Sequence, residues 1–438
     1  MRYFLMSLGC PKNTVDAESM GKLLDDAGHQ PVGSPEEAGL LIVNTCGFIE
    51  AARAESIGVL QELAQAKRPD QWLVAAGCLS QRYGRALVNE VPGLDGILGT
   101  RRWMDIVTLA ERLRQGRRGP LYDLPDEGAV VPDPPGVARA AVHGTSAYLK
   151  IADGCRRPCA FCAIPLIKGT ARSRPLKAIV TEARQLVEAG VQEIILIAQD
   201  TTDYGRDLGL RDGLASLIDN ILAVVPGMPW LRIMYAYPAA LTPRLIGTMA
   251  RHPQVCHYLD LPLQHGHPDV LKRMRRPANV DRVCRQLEDL RTAMPDIALR
   301  TTFIVGFPDE TEAEFAELEA FVQEMAFDKV GVFTYSHEEG TAAANFPDDV
   351  PPEVKQERYE RLMALQQGIS LARNQQQIGR RLEVLLEGAG DGLSLGRTYR
   401  DAPEIDGLVI IEEELPVGEI VQARIVGAME YDLVGAPQ

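Results

Sequence analysis

Residues 147–165 read "AYLKIADGCRRPCAFCAIP": a short β-rich run, a turn at Asp153 and Gly154, then three cysteines at C-x3-C-x2-C spacing. Three thiols on one loop can grip a single metal centre. Tetrahedral zinc and iron–sulfur clusters both take four ligands, and Cys155, Cys159 and Cys162 supply three. Zinc sites usually pair two C-x2-4-C knuckles or add histidines, and no second knuckle lies nearby. Thiolates also suit iron–sulfur clusters. A four-iron cluster held by three cysteines leaves one iron open to a small molecule. Core packing is a poor account of three cysteines set beside Arg156, Arg157 and Pro158 in a loop.

The run before that loop is the first of six. "AYLKIADG", "EIILIAQD", "LRIMYAYP", "YLDLPLQH", "IALRTTFIVGFP" and "KVGVFTYS" alternate with helical patterns such as "PLKAIVTEARQLVEAG" and "ETEAEFAELEAFVQEMA". Six consecutive βα units predict a partial α/β barrel of the TIM-like (β/α)6 kind, with its chemistry on the loops after the strands. The cysteine loop follows the first strand.

Three further cysteines share a setting upstream. "YFLMSLGC" ends at Cys10, "LLIVNTCG" holds Cys46 and "WLVAAGC" ends at Cys78, with helical patterns between them. Sequential βα units give a parallel sheet whose outgoing loops gather at one edge, so Cys10, Cys46 and Cys78 are expected to meet there.

A chain of 438 residues exceeds one hydrophobic core; at about 150 residues per domain it suggests three. Pro and Gly concentrate over 116–146, read as a linker. The fold class is therefore α/β, with a βα N-terminal domain carrying a parallel sheet over 1–115 and the partial barrel over 147–370. After the long helical pattern from "PEVKQERYERLM", strand-like runs over 371–438 predict a small β-barrel.

The formal charge of −14 argues against a protein built mainly to grip phosphate backbones. The first residues lack a signal segment, and no apolar run approaches the roughly 18 residues of a membrane span, so a cytoplasmic chain with no membrane partner is expected. Eight cysteines in that compartment read as ligands or buried groups, not a disulfide framework. Cys256 and Cys284, outside both sets, are read as core packing. His265, at a strand end in "LPLQHGH", is read as structural.

With Phe161 just before its third cysteine, the C-x3-C-x2-C loop resembles the signature of radical S-adenosylmethionine enzymes. The resemblance implies a 4Fe-4S cluster on Cys155, Cys159 and Cys162 whose open iron takes the amino and carboxylate groups of S-adenosylmethionine. "SLGCPKNTVDAE", "VNTCGFIEAA" and "AAGCLSQRY", followed by "GCRRPCAFC" and a β-rich tail, are similar in order to the methylthiotransferases of that superfamily. That likeness spans essentially the whole chain. It implies a second, auxiliary 4Fe-4S cluster on Cys10, Cys46 and Cys78, a tail of the OB-like TRAM type, a low-potential electron donor and a sulfur donor. No catalytic side chain beyond the six ligands is assigned. Strand-end residues Gln199, Asp200 and Gly306, with Phe161, are candidates for holding S-adenosylmethionine. Arg172, Ser173 and Arg174 resemble the family's segment after the cluster loop, and Lys168 stands where the family commonly has arginine.

The family divides between a transfer RNA adenosine and an aspartate of ribosomal small-subunit protein twelve. From Gly379 to Gln438 five arginines stand against twelve acidic residues, a net of −7, with Glu412, Glu413 and Glu414 in succession. A barrel that grips RNA should carry a basic stripe; an acidic one suits a basic ribosomal protein. "SLGCPKN" and "GRTYRDAPEIDGLV" also resemble the protein-modifying branch. That branch adds a methylthio group to the β-carbon of the aspartate, with RNA contacted only through the ribosome. A transfer RNA methylthiotransferase is the alternative, and a non-enzymatic iron–sulfur electron carrier a more distant one.

Overall fold

Loops from two successive parallel sheets converge on one region of the molecule. The computed structural model describes residues 1–116, 120–125 and 144–437. The N-terminal sheet is parallel, ordered β2-β1-β3-β4-β5-β6: β1 (Arg2–Ser7), β2 (Gln30–Pro31), β3 (Leu40–Thr45), β4 (Trp72–Gly77), β5 (Gly96–Gly99) and β6 (Leu121–Asp123). Central β3 is buried along its whole length, as a parallel strand covered on both faces must be. Helices α1 (Pro11–Asp26), α2 (Glu50–Ala66) and α3 (Cys78–Tyr83) leave the carboxyl ends of β1, β3 and β4. Strand β6 falls inside the stretch expected to be linker and closes the sheet against β5; most of that stretch lies outside the described residues.

The second sheet contains all six expected strands in sequential parallel order: β7 (Ser146–Lys150), then, after a small ribbon of β8 (Ala152–Asp153) and β9 (Arg172–Ser173), β10 (Glu193–Ile197), β11 (Trp230–Ile233), β12 (Val255–Asp260), β13 (Ala298–Val305) and β14 (Lys329–Thr334). Alternation along β10 separates two cores. Ile194 and Leu196 face the covering helices. Ile195 and Ile197 face Val15 of α1 and Leu385 and Ala402 of the C-terminal domain. The concave face of the open barrel is thus filled from outside its own domain.

The filling comes mainly from the tail. The helix Pro352–Gln375 runs past the expected boundary at 370 into a closed barrel of β15 (Arg381–Gly390), β16 (Leu393–Arg397), β17 (Val409–Ile411), β18 (Ile420–Ala428) and β19 (Leu433–Pro437). The end of β16 and the segment between it and β17 plug the larger barrel with buried charged side chains that are paired. Arg397 and Arg232 flank Glu193, each 2.6 Å away. Arg400 meets Asp328 at 2.8 Å and Lys329 meets Asp401 at 2.8 Å. Asp406 accepts from the Tyr258 hydroxyl at 2.7 Å and lies 3.4 Å from Arg300. The plug buries Arg397 and Arg400 together with Asp401 and Asp406, so the tail's outer face keeps its acidity, with nine exposed carboxylates against three exposed arginines. "GRTYRDAPEIDGLV" is largely this plug, not an outward face.

Candidate functional site

Each N-terminal cysteine follows a parallel strand, and small residues let the three loops touch. A Cβ on Gly9, at φ +89°, would stand 2.6 Å from Cys46 Cβ, so glycine beside Cys10 is what admits Cys46. Asn13 in the first turn of α1 ties the loops, donating to the carbonyls of Leu8 (2.9 Å) and Thr45 (3.0 Å) while Cys78 Sγ lies 3.6 Å from its Oδ1. In the second set, Gly154 at φ +74° lets the chain turn under the Thr170 carbonyl into Cys155. The Arg157 N–H reaches Cys155 Sγ at 3.4 Å, and Arg276 approaches Cys159 Sγ at 3.7 Å.

Both sets open into the same cavity, of about 420 Å³, which all six cysteines line. All are free thiols. Burial pushes Cys155 up to about 11 and Cys78 and Cys162 up to about 12, so taking up metal as thiolates must displace protons. Among the described residues no group of three or more His, Cys, Asp or Glu is drawn in tightly enough for one ion. Thiols that each bind a different corner of an iron–sulfur cube have no need to be.

Phe161, Gln199 and Asp200 also line the cavity. Gln199 donates to Asp153 at 3.3 Å, while its buried Oε1 has no hydrogen-bond partner among the described residues, an open acceptor suited to a ligand hydroxyl or amine. Asp200 is committed: it caps the turn Thr201–Asp203 and holds Arg157 at 2.6 Å. Arg157 and Arg276 stand 4.0 and 4.3 Å from the Tyr237 ring centroid. Gly306 is not among the lining residues; the space a Cβ would take there is filled by the Lys355 side chain, and Glu310 accepts its N–H.

Other expected residues hold the frame. Arg174 bonds the Lys150 carbonyl and Glu182, each at 2.6 Å, and Ser173 accepts from Gly205 N–H at 2.8 Å. Arg172 pairs in the ribbon with Asp153. Lys168 does line the cavity, but its ammonium is held by Asp16 at 3.0 Å and Asp153 at 3.3 Å. His265 is buried, with Nδ1 accepting from the His267 N–H at 2.9 Å. Cys256 is buried in the plugged core, and Cys284 packs half-buried against the helix-covered core. Lys12, Tyr235, Tyr237 and Arg276 line the cavity without having been singled out from sequence. The tyrosines follow β11 in "YAYP", a strand-end position equivalent to Gln199 and Asp200 after β10, which was the available signal.

Three family models match the chain: residues 2–99 match "Uncharacterized protein family UPF0004", 149–322 the radical SAM superfamily and 378–437 the TRAM domain. A Roseiflexus sp. (strain RS-1) protein named ribosomal protein uS12 methylthiotransferase RimO is 50% identical, over 99% of this chain and 97% of its own length. The chain belongs to the ribosomal protein uS12 methylthiotransferase RimO family. A RimO protein from Desulforamulus reducens is 45% identical over 98% of both chains. Among solved structures, the radical S-adenosylmethionine methyltransferase TsrM from Kitasatospora setae aligns with TM-score 0.57 at 14% identity, over 90% of this chain and 77% of that one. OxsB, a cobalamin-dependent radical enzyme, aligns at 0.53 and 11%, over 84% and 56%. At such identities the likeness shows the fold alone.

Proposed function

We propose that this chain methylthiolates the β-carbon of one aspartate of ribosomal protein uS12, the small-subunit protein twelve, using S-adenosylmethionine and two 4Fe-4S clusters. The observation that carries this reading is the convergence of Cys10, Cys46 and Cys78 with Cys155, Cys159 and Cys162 on one cavity. An aspartate β-hydrogen is beyond the reach of a side-chain base near neutral pH. Bound at the second triad, a cluster with S-adenosylmethionine supplies hydrogen-atom abstraction from carbon, and a cluster at the first supplies the sulfur. The chain's residues bind, orient and exclude water. Gln199 offers its free acceptor, and Arg157 and Arg276 grip the Tyr237 face beside the Cys155 loop. Phe48, Phe161 and Phe333 line the cavity with apolar surface.

The acidic outer face of the tail suits capture of a basic ribosomal protein, and its nine exposed carboxylates, Glu412 to Glu414 among them, disfavour RNA phosphates. A low-potential electron donor and a sulfur donor complete the partners. No helix among the described residues is long and apolar enough to cross a membrane, in keeping with work on ribosomal protein in the cytoplasm. Mass spectrometry of uS12 and of transfer RNA nucleosides, from cells with and without the chain, tests the reading. A methylthio mass on uS12 that depends on the chain is expected. An unchanged uS12 with a lost transfer RNA nucleoside would refute it.

A further inference from the structure

Five charged side chains line the cavity: Lys12, Arg157, Lys168, Asp200 and Arg276. Arg157 is paired with Asp200, and Lys168 with Asp16 and Asp153. Arg276 gives its guanidinium to the Pro262 carbonyl, Cys159 Sγ and the Tyr237 ring, on the side of the second triad. Lys12 differs. It is 8% exposed and has no carboxylate partner among the described residues; its ammonium sits 3.3 Å from the centroid of the Tyr235 ring. A ring face offsets only part of what a buried ammonium loses in hydration.

The ring is held there at a cost. Tyr235 has φ +59°, a conformation a bulky side chain adopts only when its surroundings enforce it. Its N–H donates to Asp260 at 3.1 Å and its carbonyl accepts from Thr201 N–H at 3.1 Å. Asp260 is in turn engaged by Arg300 at 2.9 Å; it favours the Lys12 charge from a distance but forms no ion pair with it. A strained residue thus presents to the cavity, beside Cys10, a buried cation with no carboxylate in ion-pair reach among the described residues.

We propose that Lys12 receives the side-chain carboxylate of the substrate aspartate. This rests on the reading that an aspartate of uS12 is the substrate, and names the residue that recognises it. The carboxylate carbon is bonded directly to the β-carbon, so anchoring the one fixes the other within the cavity that both triads line. The apolar walls strengthen the charge pair. They also make the site reject a neutral side chain of the same shape, because asparagine would leave the ammonium unpaired.

The test uses the full chain with both clusters loaded and two probes, uS12 and uS12 with asparagine at the target position, whose binding is compared by titration. Wild type is expected to prefer the aspartate form by about tenfold or more. Lys12→Met and Lys12→Gln, matched to wild type in iron content, should bring that ratio to within about twofold of one. An unchanged ratio in Lys12→Met and Lys12→Gln overturns the proposal, including the case where they keep the preference but lose sulfur insertion. A ratio near one in the wild type overturns it too. Parallel mass spectrometry separates the two failures. If wild type methylthiolates uS12 while either result holds, Lys12 alone loses its role; if wild type leaves uS12 unmodified, the functional reading falls and takes this proposal with it.

Discussion

Lys168, just beyond the C-x3-C-x2-C loop, places its ammonium 3.0 Å from Asp16, on the helix that begins beside Cys10. Lys150 also pairs with Asp16, and Asp153 lies 3.3 Å from both lysines, all four side chains at most 7% exposed. Burial alone would raise the Asp153 carboxyl, but Lys150 and Lys168 outweigh it and hold it well below the usual range. Among the described residues, two cations and two anions from two domains thus meet at the cavity wall that Lys168 forms.

Removing Asp16 takes the nearer carboxylate away from two buried lysines. Asp16→Asn should lower unfolding free energy by about 3 kcal/mol, the cost of breaking a buried ion pair. Urea unfolding of the iron-free chain checks this. A loss under about 0.5 kcal/mol, typical of surface changes, would mean the cluster does not join the domains.

The plug gives the chain an acid-sensitive joint. Burial would raise Glu193, yet Arg232 and Arg397 outweigh it and hold its carboxyl at about 2. A carboxylate depressed in the folded state contributes stability above its unfolded value near 4.5, and loses it as pH falls through 4.5 toward 2. Wild type should lose on the order of 3 kcal/mol over that window from this group. Glu193→Gln should be less stable at pH 7 and show a correspondingly shallower acid dependence in unfolding followed by circular dichroism.

The outer face of the tail should act through long-range attraction. Glu412→Lys with Glu413→Lys, both exposed, should slow association with uS12 several-fold at low salt, with the difference shrinking as salt screens it. Stability should stay within about 0.5 kcal/mol of wild type. Stopped-flow association at two ionic strengths measures this, and equal rates would assign substrate capture to another surface.

The triads should divide the labour. Cys155→Ala is expected to abolish reductant-dependent cleavage of S-adenosylmethionine to 5'-deoxyadenosine, whereas Cys46→Ala should stop sulfur insertion and spare part of the cleavage. Chromatography of the nucleoside product reads both. Equal losses would place the two triads in one function.

The sequence shows some of this plainly and hides the rest for physical reasons. Strands rich in Ile, Val and Leu, with a cysteine in the loop after β1, β3, β4 and β7, gave away both sheets and the meeting of the cysteines, because outgoing loops of parallel strands must share an edge. Strands β2, β5 and β16 went unread because two to five residues, two of them glycine in β5, carry no periodicity. The plug was misleading for another reason: Arg397, Arg400, Asp401 and Asp406 look like surface, and only their partners Glu193, Asp328, Lys329 and Arg300, distant in sequence, bury them. Lys12 stayed hidden likewise, since nothing local distinguishes a buried unpaired lysine from a solvated one. Gly306 misled because its positive φ serves a turn braced by Glu310 and filled by Lys355.

The central claim is that two incomplete cysteine sites, each one ligand short, hold two clusters across one cavity. Iron and sulfide content of anaerobically purified chains tests it most directly. Wild type should hold about eight irons, and about four should remain both when Cys10, Cys46 and Cys78 are changed to alanine and when Cys155, Cys159 and Cys162 are. About four in the wild type, unaltered by loss of the first triad, would contradict it.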